Sequence, residues 1–124
     1  MARMATRGAI WRPTVSVEQA EGVTVLAVAG RLGAAGAAAP SLRAAVAQGL
    51  ENASGLIVDL SAVDYLSSPG LQLLEDLARD ASAHGCRMVF CGFTEPVRIA
   101  VDLAEMTTTL PCAATRGEAI GRVR

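Results

Sequence analysis

Two adjacent serines, Ser67 and Ser68, stand directly before Pro69, Gly70 and a leucine-rich run in YLSSPGLQLLEDLA. Serine hydroxyls at such a point have two uses. One is structural: serine is a favoured N-cap, and proline is favoured at the first helical position. The other is phosphoryl acceptance, because the free N–H groups and dipole of a helix N-terminus suit a phosphate. The residues by themselves leave both open.

Few other side chains offer chemistry. Asp59 and Asp64 flank Ser61 just upstream of the serines, the only close carboxylates in that segment. Short polar side chains there are expected to hold the chain through backbone N–H groups rather than to act as an acid–base pair. The single histidine, His84 in SAHGCR, reads as a solvent-facing residue at a helix end. There is no G-x-S-x-G elbow to make a serine nucleophile. All eleven basic residues are arginine, so neither a phosphate-loop lysine nor a Schiff-base lysine exists. Cys86, Cys91 and Cys112 are an odd set without C-x-x-C spacing, expected as unpaired thiols in a reducing cytoplasm. The residues argue against an enzyme, a metal site and a bound cofactor.

The elements that must position the serines can be read from pattern. With 124 residues, 52% apolar, the chain makes one domain with a single sizeable core. A net charge of −1 supplies no basic field for nucleic acid or an anionic membrane. No run of about 18 apolar residues provides a membrane span. Residues 1–12 read as a loose N-terminal arm and 13–124 as the domain. Thr14–Glu18 alternates like a half-buried strand, Glu21-Gly22 turns, and Val23–Ala29 returns as its hairpin partner, closed by Gly30-Arg31-Leu32-Gly33. A small-residue helix over Ala37–Leu50 tolerates Pro40 near its start. Leu56–Leu60 reads as a strand buried on both faces.

After the serines, Leu71, Leu74, Leu77, Ala78 and Ala81 share one face of a helix, with Glu75, Asp76, Arg79 and Asp80 opposite, and Gly85 ending it. Arg87–Gly92 is a strand and Glu95–Glu105 a helix with Pro96 in its first turn. A short strand near Leu110–Cys112 and a helix from Arg116 complete the order β-β-α-β-α-β-α-β-α. Strand–helix alternation implies a mixed α/β sheet of four to five strands, with parallel crossovers and helices mainly on one face. The serines then leave the C-terminal end of a parallel strand, the functional edge of such sheets. Tyr65 and Phe93 are expected in the core, Leu71 on either the sheet or a partner side, and Met106 at an exposed edge.

LIVDLSAVDYLSSPGLQLL resembles the signature of STAS domains, the anti-anti-sigma factors of bacterial regulation. There a strand ends in Asp-x-Ser, an apolar segment follows, and a serine stands two residues before a glycine-leucine pair; here these are Asp59-Leu60-Ser61, Val63, Tyr65-Leu66, Ser68 and Gly70-Leu71. The resemblance implies that Ser68 is the phosphoacceptor, with Ser67, Pro69, Gly70 and Leu71 shaping a partner-binding helix start. Arg31 and Gly33 would lie nearby, and Asp59, Ser61 and Asp64 would support the segment. The usual Gly-Glu-Leu-Asp turn is replaced by Gly30-Arg31-Leu32-Gly33, losing two acidic positions and making one of them cationic.

The implied function is that of an anti-sigma factor antagonist. It would bind an anti-sigma factor that is also a serine kinase of the histidine-kinase-like ATPase fold, and release it once phosphorylated. A metal-dependent, PP2C-type phosphatase would reset it. ATP and metal would belong to those partners, and a homodimer is compatible. Two other readings stay open: a non-phosphorylated STAS-like subunit of a sensory or transport assembly, and small-ligand binding in a cleft, for which the sequence offers no polar constellation.

Overall fold

The computed structural model describes residues 14–32, 39–52, 55–106 and 110–123. The expected arm 1–12, Gly33 of the turn and residues 37–38 lie outside these. In chain order the elements are β1 Thr14–Ala20, β2 Val23–Leu32, α1 Ala39–Asn52, β3 Gly55–Leu66, α2 Ser68–Ala83, β4 Arg87–Cys91, α3 Glu95–Leu103, β5 Cys112–Ala113 and α4 Arg116–Val123. This is the order read from the sequence.

The five strands form one sheet in the order β1-β2-β3-β4-β5. β1 pairs antiparallel with β2 across the Glu21-Gly22 turn, and every other pairing is parallel. Alternate residues of a strand face opposite sides, so the inner strands feed two apolar layers. Leu26, Val28, Leu56, Val58, Leu60, Met88 and Phe90 meet Leu42 and Val46 of α1, Leu74, Leu77 and Ala81 of α2, and Val97 and Val101 of α3. On the opposite face Val23, Val25, Ile57, Val89 and Cys91 meet Ala119, Ile120 and Val123 of α4. Three helices therefore cover one side and a single short helix the other.

β1 runs two residues past Glu18, to Ala20, and two other strands run well beyond their patterns. β2 continues through Gly30-Arg31-Leu32, which the sequence reads as a closing turn. β3 continues from Leu60 to Leu66, where a connecting segment is expected. Its irregular pairing with β2 hides this extension from the sequence pattern. β3 advances from Asp59 to Ala62 while β2 advances only from Ala27 to Ala29, and from Val63 to Tyr65 while β2 moves from Gly30 to Arg31. Each step inserts an extra residue in β3, a bulge that breaks the period of two and re-aims the residues beyond it.

Three side chains depart from expectation. Tyr65 is not core but 42% exposed. Met106 packs partly buried against the larger apolar cluster instead of forming an exposed edge, whereas Phe93, expected in the core, does pack against that cluster, partly buried. Leu73 joins the buried face of α2 although the helical stripe did not include it.

Candidate functional site

The serine pair divides its labour. Ser67 is the N-cap of α2, with extended backbone at φ −99° and ψ 178°, and its hydroxyl accepts from the Gly70 N–H. The Ser67 N–H donates to the Leu32 carbonyl at 3.1 Å, and its hydroxyl donates to the same oxygen at 3.4 Å. The start of α2 is thereby fastened to the end of β2. Ser68, in the first turn, and Pro69 are exposed.

Gly70 explains why the junction closes so tightly. A Cβ there would lie 2.2 Å from the Leu32 carbonyl oxygen and 2.7 Å from Leu66 Cδ1, so no larger residue fits. Leu71 turns inward and packs partly buried against the larger cluster. It belongs to the sheet side more than to the surface.

Beside this junction, Arg31 and Tyr65 are register partners on β2 and β3. The Arg31 guanidinium sits 4.8 Å from the Tyr65 ring centroid, a cation–π stack. Both are exposed, so a cation and an aromatic face solvent next to Ser68 and Pro69. The first turn of α2 carries no acidic residue to offset them.

Upstream on β3, where the first bulge begins, Asp59 is the buried charged residue of the described core, 7% exposed. One carboxylate oxygen accepts the Ser61 N–H at 2.9 Å, the backbone role expected of it. The other accepts from Arg116 of α4 twice, Nε at 3.0 Å and Nη2 at 2.8 Å. Arg116 Nη1 also reaches Glu18 of β1 at 2.9 Å. Burial pushes the Asp59 carboxyl upward, but the Ser61 N–H and the Arg116 guanidinium outweigh it and hold it below its ordinary value. Glu18 first, then Asp59, strengthen the charge on Arg116. Gly92 makes room: at its φ of +72° a Cβ would meet Asp59 Oδ1 at 2.9 Å and Ser61 Cβ at 3.0 Å. Further along, the Thr94 hydroxyl donates to the Val63 carbonyl at 2.6 Å.

The structure thus brings Ser67, Ser68, Pro69, Gly70 and Arg31 together at one edge, while Asp59 and Ser61 lie upstream at the first bulge of β3. Asp64 is exposed on the β3 extension. Sequence reasoning missed Arg116, Glu18 and the exposure of Tyr65. The available signal was electrostatic: an arginine at a helix N-terminus opposes the helix dipole and calls for a carboxylate.

No nucleophile–base pair forms among the described residues. His84 caps the opposite end of α2, roughly 24 Å along the helix from Ser68. Its Nδ1 lies 2.9 Å from the Asp80 carbonyl oxygen. Burial pushes the Cys91 thiol up to about 11, with nearby Asp59 adding to it, and burial also raises that of Cys86. Among the described residues no group of three His, Cys, Asp or Glu gathers as a metal site, and no helix is long and apolar enough to cross a membrane.

No curated protein sequence matches the chain. Solved structures do. An anti-sigma factor antagonist from Mycobacterium paratuberculosis is 27% identical with a TM-score of 0.77, covering 90% of this chain and 94% of that one. The anti-sigma factor antagonist SpoIIAA in its unphosphorylated form is 21% identical with a TM-score of 0.69, covering 90% and 96%. A murine solute carrier 26 anion transporter, member A9, is 11% identical with a TM-score of 0.73; it matches 98% of this chain over 24% of its own, a likeness of fold alone. The STAS domain family model matches residues 14–119. With the five-stranded mixed sheet, the fastened helix start and that match together, the chain belongs to the STAS domain family.

Proposed function

We propose that this domain is a non-enzymatic, phospho-switched interaction module, an anti-sigma factor antagonist in which Ser68 accepts the phosphate. The carrying observation is the division within the serine pair: Ser67 is committed to the cap and to Leu32, while Ser68 stands exposed on the first turn. A kinase can reach Ser68 without dismantling the fold. SpoIIAA, of similar fold, has been solved in both unphosphorylated and phosphorylated forms, which supports such a switch.

Phosphate adds about −1.5 to −2 charges and three strong acceptors. At the N-terminus of its own helix this charge is favoured by about 0.3–1 kcal/mol, so the domain stays folded. A docked partner responds differently. Desolvating an unpaired dianion, or setting it against a carboxylate, costs several kcal/mol, and about 4 kcal/mol weakens binding roughly a thousandfold. The partner is a cytoplasmic anti-sigma factor with serine kinase activity of the histidine-kinase-like ATPase fold, and a PP2C-type phosphatase resets the domain. Ser67, Ser68, Pro69, Gly70 and Leu71 form or shape the contact and Arg31 flanks it with Tyr65; Gly33, outside the described residues, is kept as a partner contact on the STAS resemblance alone. ATP and metal belong to the partners.

The test is a pull-down from lysate of the native host with wild type, Ser68→Ala and Ser68→Asp as baits. A kinase-fold protein held by the first two and lost with Ser68→Asp is the expected result. Equal capture by all three, or a transport or sensory assembly in place of a kinase, would overturn the switch and favour an assembly subunit.

A further inference from the structure

The β3 extension that carries the serines starts at a bulge, and the bulge is held from below. The first extra residue of β3 lies between Asp59 and Ala62. There the Asp59 carboxylate accepts the Ser61 N–H while its other oxygen takes the Arg116 fork. A side-chain acceptor can stand in for the ladder partner that a bulge removes. Asp59 keeps this position because Arg116 neutralises it in a site where it is 7% exposed. Arg116 is also fastened to Glu18, so one guanidinium joins β1, β3 and α4. Gly92 closes the remaining side.

We propose that Arg116 is a positioning residue for the serine segment: by fixing the Asp59 carboxylate it sets the β3 bulge that aims residues 61–68 and the start of α2. The first residue of the last helix thereby controls how firmly a serine on the opposite side of the sheet is presented. Loss of the fork leaves Asp59 a buried, unpaired charge, which turns toward water and releases the Ser61 N–H. Val63 and Leu66 are buried and resist a full register slip, so the segment opens locally rather than re-pairing. Its regulatory use rests on Ser68 being the switch, but the coupling is read on the purified chain without a kinase.

The experiment is amide hydrogen exchange on the full chain, followed by mass spectrometry, for wild type, Arg116→Gln, Arg116→Lys and Arg122→Gln. Arg122 lies on the same helix and donates to the Cys112 carbonyl, so its loss loosens α4 without touching Asp59. In Arg116→Gln, exchange over residues 61–71 is expected to rise about tenfold, with β4 near wild type. Arg116→Lys, which keeps a point charge but not the fork, should fall between the two. Arg122→Gln should change residues 112–123 only. Should Arg116→Gln fail to fold, Arg116→Lys against Arg122→Gln decides on the same segments. Faster exchange confined to α4 in the Arg116 variants, or equal acceleration of residues 61–71 by Arg122→Gln, would overturn the assignment.

Discussion

At the scale of single residues, two neighbouring hydroxyls have different surroundings and so different consequences. Ser67→Ala removes the cap to Gly70 and the side-chain bond to Leu32, and should cost about 1 kcal/mol in urea unfolding. Ser68→Ala should stay within about 0.5 kcal/mol of wild type. Ser68→Asp places a negative charge at the helix N-terminus, so its Tm should match or slightly exceed wild type. Gly70→Ala is the severe change, because its Cβ would meet the Leu32 carbonyl at 2.2 Å. A loss of about 2–3 kcal/mol is expected, read by the same unfolding curves. Of these roles, the helix start was legible from SSPG followed by leucines, whereas which serine caps and which is exposed was not. The close approach of Gly70 to β2 was not, since it arises between residues far apart in sequence.

At the scale of elements, β3 decides the site. Its first half, Leu56–Leu60, was legible because a strand covered on both faces is continuously apolar. The second half was hidden by its two bulges, which place Ser61, Asp64 and Tyr65 outside any simple alternation. The ion pair under the first bulge was equally hidden, since Asp59 and Arg116 are joined only by the folding of α4 against the sheet. This pair has a pH signature. Asp59 has its folded-state value below the ordinary 3.8, so it contributes stability that is fully present above that value and lost as pH falls through the lowered one. Asp59→Asn should therefore unfold more easily than wild type at pH 7, by about 2–3 kcal/mol for a charged hydrogen bond lost with its partner left behind. The gap should narrow as pH falls below 3.8 and through the lowered value, as the wild-type carboxyl becomes protonated too. Urea midpoints of both proteins across that range check it; a gap that stays constant with pH would show that the charge on Asp59 contributes nothing.

At the scale of the whole molecule, the sheet separates two apolar layers of unequal depth, one under three helices and one under α4 alone. The strand–helix order made the mixed sheet legible, while the face on which each helix lies is set by packing that no local pattern records. The free cysteines report on this arrangement. Cys91 is fully buried beneath α4 with its thiol pushed up to about 11, whereas Cys112 is half-buried on the edge strand. Under native conditions near pH 8, a maleimide or iodoacetamide label should enter Cys112 well before Cys91. Cys91 labelling should track global opening and slow whenever stability rises. Equal labelling rates, measured by peptide mass, would show that the α4 layer opens independently of the rest.

In the proposed switch, Ser67 holds the helix while Ser68 carries the phosphate. Site-resolved phosphopeptide mapping of the protein isolated from its native host tests this most directly, using fragmentation that separates the adjacent serines and Ser67→Ala and Ser68→Ala variants alongside wild type. Phosphate on Ser68, kept in Ser67→Ala and abolished in Ser68→Ala, is the predicted result. Phosphate on Ser67, or its persistence in Ser68→Ala, would contradict it.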